Sequence, residues 1–143
     1  MRIQTQIEID APADKVFEIL TDFERYPEWN PLTVRIDGAP KVGEVLKLHV
    51  SISGQSMVRK HVVSRVDAPT ALCWTIRTKQ PWLMRGERCQ TVEDLGDGRC
   101  RYSNDEQVLG LSSWLVILMG FKGKIRAALE ATGAALKDRA ENA

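Results

Sequence analysis

The spacing of apolar residues in the larger part of this chain, from Leu32 onward, changes at Gly110. Between Leu32 and Leu109 the texture is strands and turns. Leu32, Val34 and Ile36 alternate, as do Leu46, Leu48, Val50 and Ile52, and Leu72, Trp74 and Ile76, with Val58, Val62 and Val66 between them. A period of two puts alternate side chains on opposite faces, so these runs read as half-buried strands. Turn residues separate them at Asp37-Gly38, Ser53-Gly54, Asp67-Ala68-Pro69 and Gly96-Asp97-Gly98. After Gly110 the spacing becomes three and four, through Leu118, Phe121, Ile125, Leu129, Thr132 and Leu136. That predicts one long helix from about Ser112 to Ala140, capped by Ser112 or Ser113.

Upstream, Ile3, Thr5, Ile7 and Ile9 alternate with polar residues and predict a first strand. Pro12 suits the first turn of a helix, Asp14 suits its positive end, and Val16, Phe17 and Leu20 give it an apolar stripe. Asp22 caps a second short helix that ends before Pro27. The expected class is α+β: a seven-stranded antiparallel sheet, two short helices after the first strand, and a long C-terminal helix on one face. Seven strands must curl, and a sheet curled around a helix encloses either packed core or a cavity. The 143 residues fit a single domain over 1–143 that needs no disulfide or metal for its core.

Charge narrows the function. Twenty basic and nineteen acidic residues leave +1, which argues against a nucleic-acid or anionic-membrane binder. The longest apolar run, Trp114 to Met119, is too short to span a bilayer, and the N-terminus has no apolar run of signal-peptide length. A cytoplasmic, reduced protein is expected. Cys73, Cys89 and Cys100 match no zinc spacing and fall in strands, where they read as small buried hydrophobes. No Walker A, GxGxxG, HExxH or GxSxG string occurs, and no cofactor is implied.

Two hairpins can be read for register. Across Gly96-Asp97-Gly98, Val92 faces Tyr102, Gln90 faces Asn104 and Arg88 faces Glu106 on one side. Glu93 faces Arg101 and Thr91 faces Ser103 on the other, an ion pair and a hydroxyl pair that support this alignment. With Val92 and Tyr102 inward, four polar residues also point inward, where they line a wet cavity or a solvated sheet end. Arg88 beside Glu106 should lower the carboxyl pKa and make it a poor base. Across Ser53–Ser56, Ile52 facing Val58 sets His49 opposite His61 on the outer face, with no third ligand for a metal.

The opening Ala11-Pro12-Ala13-Asp14-Lys15-Val16-Phe17, followed by Asp22-Phe23-Glu24-Arg25-Tyr26-Pro27-Glu28-Trp29-Asn30-Pro31, resembles the START-like (SRPBCC) superfamily. The nearest-looking branch is the polyketide cyclase/dehydrase and lipid-transport group. Val66-Asp67-Ala68-Pro69 with Leu72-Cys73-Trp74 is similar to that family's fourth-to-fifth strand hairpin. The resemblance implies a helix-grip fold with an apolar cavity between sheet and helix, and a small hydrophobic ligand as partner. Candidate ligand-binding residues are Tyr26, Trp29, Trp74, Trp82, Arg88, Gln90, Tyr102, Asn104, Glu106, Leu118, Phe121 and Ile125. Tyr26 and Trp29 either line the mouth or plug the barrel as core. Trp82 either gates the mouth or packs on the long helix.

Trp114 to Met119 is apolar all round, which normally means buried on every side. It packs under Trp82-Leu83-Met84, lines the cavity or forms a homodimer face. Three functions follow: a carrier of a lipid, fatty acid or aromatic polyketide-like molecule, an aromatase/cyclase or dehydratase, or a protein-interaction module. No catalytic residue is assigned.

Overall fold

The computed structural model describes residues 1–142. The strands are β1 (Arg2–Ile9), β2 (Thr33–Asp37), β3 (Val45–Ile52), β4 (Gln55–Asp67), β5 (Ala71–Ile76), β6 (Arg85–Gly96) and β7 (Arg99–Leu109). They form one antiparallel sheet in the order β1-β7-β6-β5-β4-β3-β2. Helix α1 (Ala13–Thr21) and a short 3-10 helix (Phe23–Glu28) follow β1, and α2 (Ser113–Leu118) and α3 (Phe121–Glu141) follow β7. Helix α3 packs on β1, β7 and β3, giving the expected helix-grip arrangement.

The core lies where α1 meets the end of α3. Val16, Phe17 and Leu20 of α1 share one stripe, and Phe23 and Tyr26 extend it. They meet Leu136 and Ala140 from α3 and Leu72, Trp74, Val92 and Tyr102 from the sheet. The Tyr26 hydroxyl donates to the Leu20 carbonyl at 2.6 Å, so its burial strands no polar group.

Several sequence readings need correction. The short helix after α1 runs through Pro27 and takes no side-chain cap from Asp22. The long helix is broken. Gly120 takes a left-handed φ of +75°, and α2 and α3 flank it. The spacing of three and four continues across the break, so periodicity could not reveal it. Ser112 and Ser113 do not cap by side chain. Their hydroxyls donate to the carbonyls of Leu83 and Gly110 at 2.7 and 2.8 Å.

The β3–β4 register also differs. Ser53 and Gly54 make a two-residue turn with φ of 51° and 80°, so Ile52 pairs with Gln55 rather than Val58. His49 then faces Val58 and His61 faces Leu46. The shift reverses the faces of β4. Met57, Arg59 and His61 turn inward, Val58 is exposed, and an irregularity between Val63 and Arg65 interrupts the pairing with β5.

Finally, Cys73 and Cys89 are direct cross-strand partners and form a disulfide, and only Cys100 is free. The β6–β7 hairpin has the expected pairs, including Arg88 with Glu106, Val92 with Tyr102 and Glu93 with Arg101. Among the described residues, no helix is long and apolar enough to cross a membrane.

Candidate functional site

At the end of the sheet away from α1, sheet and helix diverge around a cavity of about 210 Å³. Its helical wall is apolar: Val116 from α2, and Ile125, Ala128 and Leu129 from α3. Leu48, Val50 and Ile52 of β3 continue that surface. The polar groups come from the sheet: Thr33, Arg59, His61, Arg88 and Glu106.

Alternation on β6 and β7 delivers Arg88 and Glu106 to the same wall. The Arg88 side chain is only 8% exposed and its guanidinium lies 5.6 Å from the Trp74 ring centroid. That stacking is favourable for a desolvated cation. Its Nε donates to the Asn104 Oδ1 at 3.1 Å. Asn104 Nδ2 donates to the Tyr102 hydroxyl at 3.3 Å, and that hydroxyl donates to Gln90 Oε1 at 2.6 Å. A buried polar chain therefore runs from the cavity wall into the core and fixes the orientation of Arg88.

Glu106 lies 4.0 Å from Arg88 Nε, too far for a hydrogen bond. Burial pushes its carboxyl above the usual range. The Arg88 charge pulls it down less strongly, and Asp105 adds a smaller upward push. The expectation of a lowered pKa is therefore overturned, because desolvation outweighs an ion pair at this separation.

His61 is the unexpected member. Burial, then the charge of Arg88, pushes its pKa down to about 4, so the imidazole is neutral near pH 7. Two polar atoms of the lining, His61 Nδ1 and Thr33 Oγ1, are buried with no hydrogen bond of good geometry, although the Arg59 backbone lies near enough to the His61 ring to offset part of its lowered pKa. His49 lies on the other face, with Nε2 2.9 Å from Asp37 Oδ2.

Among the sequence candidates, the structure brings Trp74, Arg88, Glu106 and Ile125 to the cavity. Gln90, Tyr102 and Asn104 lie behind the wall, buried in the polar chain. Tyr26 is core, and Trp29 borders a charged surface cleft with Lys15, Glu18 and Arg139. Trp82, Leu118 and Phe121 are exposed and outside the lining. Residue-by-residue reading missed Thr33, Arg59 and His61, whereas Val116 and Met84 come from the two segments that it offered as lining or mouth. The signal for Arg59 and His61 was Ser53-Gly54, a two-residue hairpin turn.

The whole-chain family model for "Polyketide cyclase / dehydrase and lipid transport" matches residues 1–141, and the chain belongs to that family. A START superfamily protein from Mycobacterium smegmatis is 24% identical, with a TM-score of 0.74 over 99% of this chain and 97% of that one. Zhui aromatase/cyclase from Streptomyces sp. R1128 is 17% identical, with a TM-score of 0.77 over 99% and 93%. Norcoclaurine synthase from Thalictrum flavum, as a point mutant in complex with a transition-state analogue, is 14% identical, with a TM-score of 0.71 over 99% and 94%. At these identities the likenesses show the fold. No curated protein matches the chain by sequence.

Proposed function

We propose that the cavity binds a small, mainly apolar molecule carrying one carbonyl or hydroxyl end. The observation that carries this reading is the pair of buried atoms with no hydrogen bond of good geometry, His61 Nδ1 and Thr33 Oγ1, in an otherwise largely apolar lining. Buried polar atoms are normally satisfied, and a ligand's polar end would satisfy these. Apolar burial supplies the affinity, while Arg88 and His61 select the orientation. The volume is about 210 Å³. Drug-sized sites run to roughly 300–1,000 Å³. A one- or two-ring compound or a short acyl chain therefore suits this site, and a long acyl chain requires α2 to move.

The test is mass spectrometry of any copurified compound, followed by thermal shifts with small aromatic ketones, phenols and fatty acids. A ligand at a hundredfold over its Kd should stabilise the fold by about 2.7 kcal/mol. Val50→Phe, which fills the cavity, should remove that response while the fold persists. A response unchanged in Val50→Phe sinks the reading.

A second reading, proton transfer on a poly-β-ketone chain, gains from His61. A neutral imidazole can accept a proton from carbon between two carbonyls, though a pKa near 4 makes His61 a weak base until a bound ligand's charge raises it, and Arg88 can polarise the carbonyl oxygen. The two sequence arguments against an enzyme, no inward histidine and a lowered Glu106 pKa, both fail here. Turnover of such a chain, lost in His61→Leu while binding persists, would favour this reading over carriage.

A further inference from the structure

We propose that α2 and the β5–β6 loop form a docking face for an anionic lipid bilayer, placed over the cavity mouth. Trp82, Trp114, Ile117, Leu118 and Met119 are all exposed, and no residue of α2 is buried. Single exposed apolar residues are ordinary, but a contiguous group marks a binding surface. A helix apolar on every side is stable where apolar matter surrounds it. Here water does.

Backbone contacts make the loop and α2 one platform. Leu111 N–H donates to the Trp82 carbonyl at 3.1 Å, and Ser112 N–H donates to the Leu83 carbonyl at 2.9 Å. Gly110 permits this approach: its φ is +108°, and a Cβ there would lie 2.5 Å from the Leu83 carbonyl oxygen. Val116 and Met84 line the cavity from this platform, so what docks on its outer side also borders the cavity mouth.

Charge selects the partner. Segments 51–61, 77–86 and 107–129 lie at this end of the fold and contain no Asp or Glu. They supply Lys60, Arg77, Lys79, Arg85, Lys122 and Lys124. Of the carboxylates that border these segments, Asp105 pairs with Arg2 at 2.7 Å and Glu106 lines the cavity, while Glu87, which accepts from Ser64 at 3.1 Å, and Glu130 remain exposed acids. Asp14, Glu18, Asp22, Glu24 and Glu28 gather around α1 at the other end. The net charge of +1 is thus a sum over two unlike ends and describes neither. An apolar ridge with indoles at the end of the fold that carries these cations complements negative headgroups over hydrocarbon. A two-fold dimer through the ridge would set these cations against their own images.

This surface goes beyond the ligand reading and stands without it. Flotation of the full chain with phosphatidylcholine vesicles, pure or with one part in four phosphatidylglycerol, tests it. Binding to the anionic vesicles should be about tenfold or more the stronger, and should weaken as salt rises. Leu118→Asp with Ile117→Asp changes exposed positions only and should abolish binding while circular dichroism and the urea unfolding midpoint persist. Lys122→Glu with Lys124→Glu should reduce anionic binding to the neutral level. Equal binding to both vesicles, or binding to neither, overturns the proposal. So does a concentration-dependent dimer dissolved by Leu118→Asp, which would assign the ridge to a second copy.

Discussion

The two ends of the sheet are built from the same strands and the same helix, yet they differ in kind. At the α1 end, Leu20, Tyr26, Leu72 and Leu136 are packed and fully covered. At the α2 end the lining surrounds open space, polar atoms lack hydrogen bonds of good geometry, and apolar side chains face water. Helix α3 shows the contrast along its own length. Leu129, Thr132, Gly133, Leu136 and Ala140 are buried, while Phe121, Lys122 and Lys124 are exposed. The difference teaches that stability and binding occupy separate ends of one element. What closes each end decides which it is: α1 and the 3-10 helix bring apolar side chains into the sheet, whereas α2 brings only Val116 into the cavity lining.

The largest effect that would test this division is a pair of leucines. Leu136 is fully buried and Leu118 is 72% exposed. Leu136→Ala should cost about 3 kcal/mol through lost transfer energy and the cavity left behind. Leu118→Ala should change stability by less than about 0.5 kcal/mol. Urea unfolding measures both. Similar losses would mean that α2 is packed in solution and the division is wrong.

A pH series sharpens the contrast, because the open end holds the titrating pair. His61 falls from 6.5 to about 4 on folding, so between those values the unfolded chain binds more protons. Stability from this group is complete above pH 6.5 and is lost as pH falls toward 4. The loss is on the order of 3 kcal/mol at most. Glu106 has the opposite sign. Its pKa is raised, so its contribution is present at low pH and is lost as pH rises above 4.5. His61→Gln should flatten the acid-side loss, and Glu106→Gln should make the high-pH side relatively more stable. Unfolding midpoints from pH 4 to 7 check both. Parallel curves for wild type and His61→Gln would place that imidazole in water.

Double-mutant cycles on Arg88 give a smaller effect. Arg88 donates to Asn104 at 3.1 Å but stands 4.0 Å from Glu106. Coupling between Arg88→Met and Asn104→Leu should be about 1–2 kcal/mol, and that with Glu106→Gln should be less than about 1 kcal/mol. The reverse order would mean that the ion pair, not the polar chain, holds Arg88 against the cavity wall.

The β6–β7 register was legible in the sequence because several independent pairs agreed on one alignment. Val92 with Tyr102, Glu93 with Arg101 and Thr91 with Ser103 leave little freedom. β3–β4 lacked such agreement. Its valines occupy both phases of β4, Val58 outward and Val63 inward, so apolarity could not choose between registers. The turn could have chosen, since Ser53 and Gly54 both adopt positive φ. Half of the polar lining followed from that one loop length: its error hid His61 and Arg59, whereas the β6–β7 register set Arg88 opposite Glu106 on the cavity wall. The exposure of α2 was not legible because composition shows that a segment is apolar on every side and does not show whether anything covers it. The Cys73–Cys89 bond followed from a β5–β6 register that the sequence reading never fixed.

The smallest predicted effect bears on the helix break. Gly120 has φ of +75°, and a Cβ there meets nothing within 4 Å. Ala at that position suffers no clash, so only backbone strain opposes it, about 1 kcal/mol. The alternative for the variant is to take helical φ and fuse α2 to α3 into the straight helix that the apolar spacing predicts. Fusion would pull Leu111 and Ser112 away from the carbonyls of Trp82 and Leu83 and forfeit those hydrogen bonds. We therefore expect Gly120→Ala to keep the break and lose about 1 kcal/mol in urea unfolding. Emission from the exposed Trp82 and Trp114 should stay unchanged. A gain in stability with shifted emission would show that the straight helix is the better packing. The open end would then be a consequence of Gly120 alone rather than of the platform that Gly110 anchors.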